Sequence, residues 1–452
     1  MESPQLPEID PEELTDRNDS NVSDELIELV ELPLRDKPIA GMPELITDLA
    51  GLKNACLQLA KGTGPMAIDA ERASGYKYSQ RAYLIQIHRK DGGLHLIDPI
   101  PFQLEDFVPL NEILQSCETI IHASTQDLPC MREIGLNPTS LFDTELGSRI
   151  AGMAKVGLGP LTEELLGFRL AKEHSAVDWS IRPLHPEWLI YAALDVDVLL
   201  DLRDAVEAKL IESNKLAWVK EEFAAILASP APQPKTDRWK KTSGIHKVKR
   251  PDQLAIVREL WRARDEIGRE KDIAGGRILS EHAIVAAAAT VPKNINELKG
   301  ISAFTRQPPE LLKKWWDAIA IASTNPEFKI KAPPSDSPPT QMRVWREREP
   351  VAYARLTHAK AKLKEVATAN SIPVENMASP DLVRKLCWFA PLPDLAHVKA
   401  ALLKAGARKW QIELIAPTLA EIQFETEPLV VATDEAPDGS ESSESAESPE
   451  SE

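Results

Sequence analysis

Met66-Ala67-Ile68-Asp69-Ala70-Glu71 reads as a β-strand that carries two acids into an apolar setting. Successive side chains of a strand point to opposite faces, so Asp69 and Glu71, two apart, share one face. Upstream, Ile46, Leu49, Leu52, Ala55, Cys56, Leu59 and Ala60 recur at helical spacing. Downstream, Ala82–His88 and Leu94–Asp98 read as strands separated by the turn Asp91-Gly92-Gly93. A three-strand meander follows, with the acidic pair on its first strand.

Two further acids stand in comparable places. Thr119–Ala123 predicts a short β-branched strand that leads into Gln126-Asp127-Leu128 and a helix toward Glu133. Phe142–Ala151 and Leu161–Leu166 predict helices, and Pro186 predicts the start of one long helix to about Glu212. On that helix Tyr191 and Asp195, four apart, share a face. Strands first, with helices around them, predict a mixed α/β domain over residues 37–228.

Unpaired carboxylates in apolar surroundings are costly, and four in one cleft cannot all ionise without cations. Oxygen ligands suit Mg²⁺ or Mn²⁺ rather than zinc. Two such ions roughly 3.5–4 Å apart would neutralise Asp69, Glu71, Asp127 and Asp195 and clamp a phosphodiester. Tyr191 would hold the attacking water, since a phenol near its ordinary pKa of about 10 suits hydrogen bonding better than general-base work. The bland reading of the same acids is capping, as for Asp127 at its helix start. Asp143, Asp178 and Asp197 read as caps or supports, and His122 and His174 as structural groups.

The chain has 452 residues and a net charge of −17. That charge is unevenly spread. Residues 1–36 and 425–452 each carry −10, residues 37–234 carry −9, residues 235–331 carry +8 and residues 340–424 carry +5. The acidity therefore lies in two tails and the first domain, while the C-terminal half is basic, as suits contact with nucleic acid. Both tails, 1–36 and 425–452, have the composition of disordered segments. Proline-rich linkers at 229–235 and 329–340 separate two helical units, 236–328 and 341–424, of similar length and element order, which suggests duplication. A basic run of Lys240, Lys241, Lys247, Lys249 and Arg250 beside Trp239 offers cations with a stackable ring, a single-strand site. Trp261, Trp315 and Trp388 read as core. Four cysteines without metal-ligand spacing read as free thiols. The acidic N-terminus has no apolar run of a secretory leader, and no uncharged apolar run approaches a membrane span, so a cytoplasmic protein without membrane contact is expected.

Asp69, Glu71, Asp127, Tyr191 and Asp195, in this order and spacing, resemble the DEDD superfamily of 3′–5′ exonucleases in its tyrosine branch, and within it ribonuclease D. Asp178-Trp179-Ser180-Ile181-Arg182-Pro183-Leu184 resembles the approach to that family's third motif. Leu260-Trp261-Arg262-Ala263-Arg264-Asp265, Arg277-Ile278-Leu279 and Pro292 resemble the helicase-and-RNase-D C-terminal (HRDC) domain, with 341–424 as a second, divergent copy. The resemblance implies an RNase H-like exonuclease domain over 37–228 followed by two helical bundles. It implies removal of nucleotides from RNA 3′ ends, notably of transfer RNA precursors, with no obligate protein partner. In such sites Asp69, Glu71 and Asp195 hold one ion, and Asp69 bridges to a second supported by Asp127. The chain departs from the family pattern at Arg72, where an apolar aromatic is usual, at Ala176-Val177, and at Val198. A DNA exonuclease of the same superfamily and a catalytically inactive RNA-binding scaffold are the alternatives.

Overall fold

The computed structural model describes residues 32–39, 41–171, 177–230, 236–324, 338–339 and 341–423. Most of both acidic tails, His174, Ala176 and most of the two linkers lie outside these residues.

Eight strands are present among the described residues: β1 (Leu34–Arg35), β2 (Leu45–Ile46), β3 (Thr63–Arg72), β4 (Ala82–Lys90), β5 (Gly93–Ile97), β6 (Thr119–Ile121), β7 (Leu141–Asp143) and β8 (Arg169–Leu170). Six form one mixed sheet in the order β2-β5-β4-β3-β6-β7, and β1 pairs with β8 separately. The β3-β4-β5 meander is antiparallel, as its sequence predicts. β6 runs parallel to β3 but pairs only with Met66 and Ala67. The last third of β3 therefore extends past the end of β6. In open α/β sheets, ligands bind in the crevice outside the carboxyl ends of the strands, where the strand order changes direction. Asp69 and Glu71 lie on that overhang.

Three expectations are corrected. Leu141-Phe142-Asp143 is the edge strand β7 and not the start of a helix, which begins at Thr144 behind its N-cap Asp143. Ile46 belongs to β2, and the first helix, Leu49–Lys61, is capped by Asp48. The helix from Pro186 is two helices, Pro186–Asp197 and Leu199–Glu212, broken at Val198. Just before the break, Asp197 accepts from Ile39 N at 3.3 Å and lies 3.8 Å from Arg35. Helices not foreseen include Val108–Gln115, Leu216–Ala228 and Met342–Arg348.

The middle helical unit, opened by the Pro251–Lys271 helix, has its own core around Leu260, Ile284, Phe304 and Trp315. The last unit, residues 341–423, does not. Its apolar side chains are continuous with the core of the α/β domain. Trp410 stacks on Trp218, with ring centroids 5.1 Å apart and planes at 14°. Its Nε1–H donates to Glu222 at 2.9 Å, and Arg408 pairs with the same carboxylate at 2.9 Å.

Both helical units grip the α/β domain by the same corner. Asp272 (φ +49°) and Ser371 (φ +47°) each follow the unit's long helix in a left-handed turn. Each is followed by an isoleucine and, eight residues on, by a serine N-cap, Ser280 or Ser379. Asp272 accepts from Ser79 N at 2.8 Å and Tyr83 Oη at 3.4 Å. The Ser371 carbonyl accepts from buried Lys215 at 3.2 Å and sits where a Cβ on Gly152 would meet it at 2.6 Å, so that position demands glycine.

Candidate active site

β3 brings Asp69 and Glu71 to the floor of a cleft of about 680 Å³. The Pro186–Asp197 helix packs across β3, β4 and β5 and delivers Tyr191 and Asp195 to the same floor. Ligand oxygens of Asp69, Glu71 and Asp195 all lie within 4.8 Å of one another. Asp127 stands beside this trio. β6 ends in a turn with Ala123 at φ +59°, and the buried Asp143 carboxylate holds the turn. It accepts from Ala123 N at 3.1 Å, Ser124 N at 2.8 Å and Ser124 Oγ at 2.7 Å. The backbone then enters the Leu128–Glu133 helix with Asp127 at its N-cap position, yet the Asp127 side chain makes no capping bond. It faces Arg72 instead, at 3.5 Å.

The acids are held far from comfort. Burial raises the carboxyl of Asp69, against the hydrogen bond from Ala70 N and the charge of Arg72. Burial and then the charges of Asp69, Asp195 and Asp127 push Glu71 well above its ordinary range. Burial and the nearby Asp69 raise Asp195 likewise, and the hydrogen bond from Tyr191 opposes this. Asp127 is pushed up to about 8 by burial and Asp69. Groups with this strain are stable as carboxylates once cations reach them, and an all-oxygen donor set suits a hard divalent ion. The Tyr191 phenol is raised too, first by burial and then by the neighbouring carboxylates. It therefore stays protonated and serves as a donor.

The cleft is also lined by Lys155, Leu158, Gly159, Pro160 and Glu163, and by Gln126 and His122. None of these was singled out as a site residue from sequence: Lys155 to Glu163 follow the Thr144–Ala151 helix with no spacing that links them to the acids, and His122 was read as structural. His122 is partly buried and tied through Nδ1 to Thr144 Oγ1 at 2.9 Å, and burial lowers its pKa. Trp239 departs from expectation. Its ring is 3% exposed, buried in the middle unit's core with Nε1–H on Asp237, so no face is free for a base. Lys240, Lys241, Lys247, Lys249 and Arg250 are exposed, with Lys240 paired to Asp237 and Arg250 to Asp252.

The middle unit also reaches toward the site. The loop after Arg72 is held by Tyr78 Oη on Asp265 at 3.0 Å, Ala274 N on Tyr76 O at 3.0 Å and Arg277 Nε on Gly75 O at 2.8 Å. The Tyr78 ring would lie 2.9 Å from a Cβ on Gly268, so this close approach requires glycine.

Comparison with known proteins agrees with this geometry. A family model described as 3′-5′ exonuclease matches residues 43–211, and the HRDC domain model matches residues 253–323. The last unit matches a model of its own, the 3′ to 5′ exonuclease C-terminal domain, over residues 338–422. Ribonuclease D of Pseudomonas paraeruginosa is 32% identical over 57% of this chain and 69% of its own length. The crystal structure of a protein from Bifidobacterium adolescentis is 34% identical with a TM-score of 0.77, over 87% of this chain and all of that one. Escherichia coli RNase D shares the fold, with a TM-score of 0.62 at 23% identity over 84% of this chain and 98% of that one. The chain belongs to the ribonuclease D family of 3′–5′ exoribonucleases.

Proposed function

We propose that this chain removes nucleotides one at a time from RNA 3′ ends, as 5′-monophosphates, with transfer RNA precursors as its substrate class. The observation that carries the chemistry is the convergence of Asp69, Glu71 and Asp195 within 4.8 Å. In this reading the trio holds one Mg²⁺ or Mn²⁺ ion, and Asp69 with Asp127 holds a second. When bound, such ions supply positive charge to the phosphodiester and acidify water.

The chain's own residues do the rest. The protonated Tyr191 hydroxyl, held by Asp195, orients the attacking water. Asp143 fixes the turn that aims Asp127. Lys155, exposed in the lining of the cleft, meets the phosphate backbone of the entering strand. The exposed Lys241, Lys247 and Lys249 add sequence-independent phosphate contacts, which position the RNA without choosing its sequence. Among the described residues no helix is long and apolar enough to cross a membrane.

The test is digestion of 5′-labelled precursor transfer RNA, unstructured RNA and single-stranded DNA with Mg²⁺ or Mn²⁺. A ladder of single-nucleotide steps on RNA, abolished in Asp69→Ala and Asp195→Ala with RNA binding retained, is expected. Digestion of DNA in preference to RNA would move the reading to a DNA exonuclease, because only RNA presents a 2′-hydroxyl. No metal-dependent digestion of any substrate would leave an RNA-binding scaffold.

A further inference from the structure

Arg72 stands where strand alternation would turn it away from the cleft, since its neighbour Glu71 faces in. The β3–β4 register shifts between Glu71 and Arg72, with Glu71 opposite Leu84 and Arg72 opposite Ala82. Such irregularities re-aim a side chain, and Arg72 lines the cleft together with Glu71. Its guanidinium lies 3.5 Å from Asp127 Oδ1 and 3.3 Å from Gln126 Oε1. Its Nε is buried and has no hydrogen-bond partner among the described residues. The guanidinium is thus a cation that faces Asp127, held among the described residues by two long contacts.

We infer that Arg72 is a built-in cation facing Asp127 that competes with the second divalent ion for its carboxyl group. The inference rests on the metal reading given above. The free protein then takes one ion at Asp69, Glu71 and Asp195, where oxygens already converge. A second ion gains Asp127 only when Arg72 swings aside. The weak anchoring makes this displacement a matter of affinity rather than a block. Arg72 is therefore a positioning residue, acting through Asp127 on how many ions the cleft holds.

The experiment is calorimetric titration of the full-length protein with Mn²⁺, without nucleic acid, for wild type, Arg72→Gln, Asp127→Asn and the double variant. Wild type is expected to bind one ion, with a second at least tenfold weaker. Removing an opposite charge at this distance should tighten the second ion in Arg72→Gln by about tenfold or more. Asp127→Asn should keep the first ion, lose the second, and erase the effect of Arg72→Gln. Two ions of equal affinity in wild type would overturn the inference without any variant. So would an unchanged isotherm in folded Arg72→Gln, or tightening that persists in the double variant. If no protein binds Mn²⁺, the metal reading itself falls, and this inference with it. If the first ion binds and Arg72 makes no difference, only this inference falls.

Discussion

The Tyr191 hydroxyl is hydrogen-bonded to the carboxylate of Asp195, one helical turn further along. A buried phenol raised by carboxylates keeps its proton, so its contribution is a donated hydrogen bond. Tyr191→Phe should lower kcat by about 10²-fold, the low end of what a positioned proton-transfer group supplies. Mn²⁺ affinity measured by calorimetry should stay within about twofold, a factor well under 1.4 kcal/mol. A rate unchanged from wild type would remove Tyr191 from the chemistry.

The raised carboxyls make a stability prediction for the metal-free protein. Unfolded, Asp127 ionises near 3.8; folded, it keeps its proton to about 8. Between those values the native state binds more protons than the unfolded one, so stability falls as pH rises from about 4 toward 8. Each factor of ten in proton affinity corresponds to about 1.4 kcal/mol. Thermal melts in chelator should show Tm dropping across this window, and Mn²⁺ should raise Tm most at the alkaline end. Asp69→Asn should flatten the slope, because it removes both a titrating acid and a charge that raises Glu71, Asp127 and Asp195.

Trp410 fills the joint between the last unit and the α/β domain. Trp410→Ala should cost about 3–5 kcal/mol, the usual range for a deleted buried ring. It also leaves Glu222 with one partner fewer. Urea unfolding followed at the catalytic domain should shift to lower midpoint, although residue 410 is distant from that domain in sequence. Trp315→Ala, in the separate core, should leave the catalytic domain's transition in place.

Asp272 caps the loop that leaves the acidic strand. Asp272→Ala removes the acceptor of Ser79 N and Tyr83 Oη. Amide exchange at Ser79 and its neighbours should accelerate, read by mass spectrometry, while the first Mn²⁺ site keeps its affinity. Unaltered protection would mean that the contacts at Gly75, Tyr76 and Tyr78 hold the loop without Asp272.

The exposed lysines predict a salt signature. Each phosphate contact to a single strand contributes about 0.7 to the slope of log affinity against log salt. The triple variant Lys241→Ala, Lys247→Ala, Lys249→Ala should lower that slope by about 2, with RNA cleavage at saturating substrate unaffected. An unchanged slope would assign these cations to a solvated face.

How much of this was legible follows from how local each signal is. Asp69 and Glu71 declare their shared face by a spacing of two, and Tyr191 and Asp195 by a spacing of four; both hold in the structure. Asp127 was readable as an acid after a short strand, but its pairing with Arg72, far earlier in the chain, is a tertiary contact that no residue pattern displays. Phe142-Asp143 was misread as the start of a helix because a three-residue edge strand running into a helix has too few residues to show a period of two. The break at Val198 carries neither glycine nor proline. Trp239 misled because a tryptophan beside lysines looks the same whether it faces solvent or core. The duplicate corners at Asp272 and Ser371 were hidden by weak side-chain similarity and emerge from backbone conformation.

The shared core between the α/β domain and the last helical unit has a consequence for the order in which the chain is made. Ribosomes deliver the N-terminal domain first, and domains commonly fold as they emerge. Here the apolar face at Trp218 is covered by Trp410, on a helix that starts at Lys409. The nuclease half must therefore wait, with that apolar face uncovered, through synthesis of the self-contained middle unit. A ribosome stalled in the second linker would present a cleft with all its acids in place on a domain still open at its back.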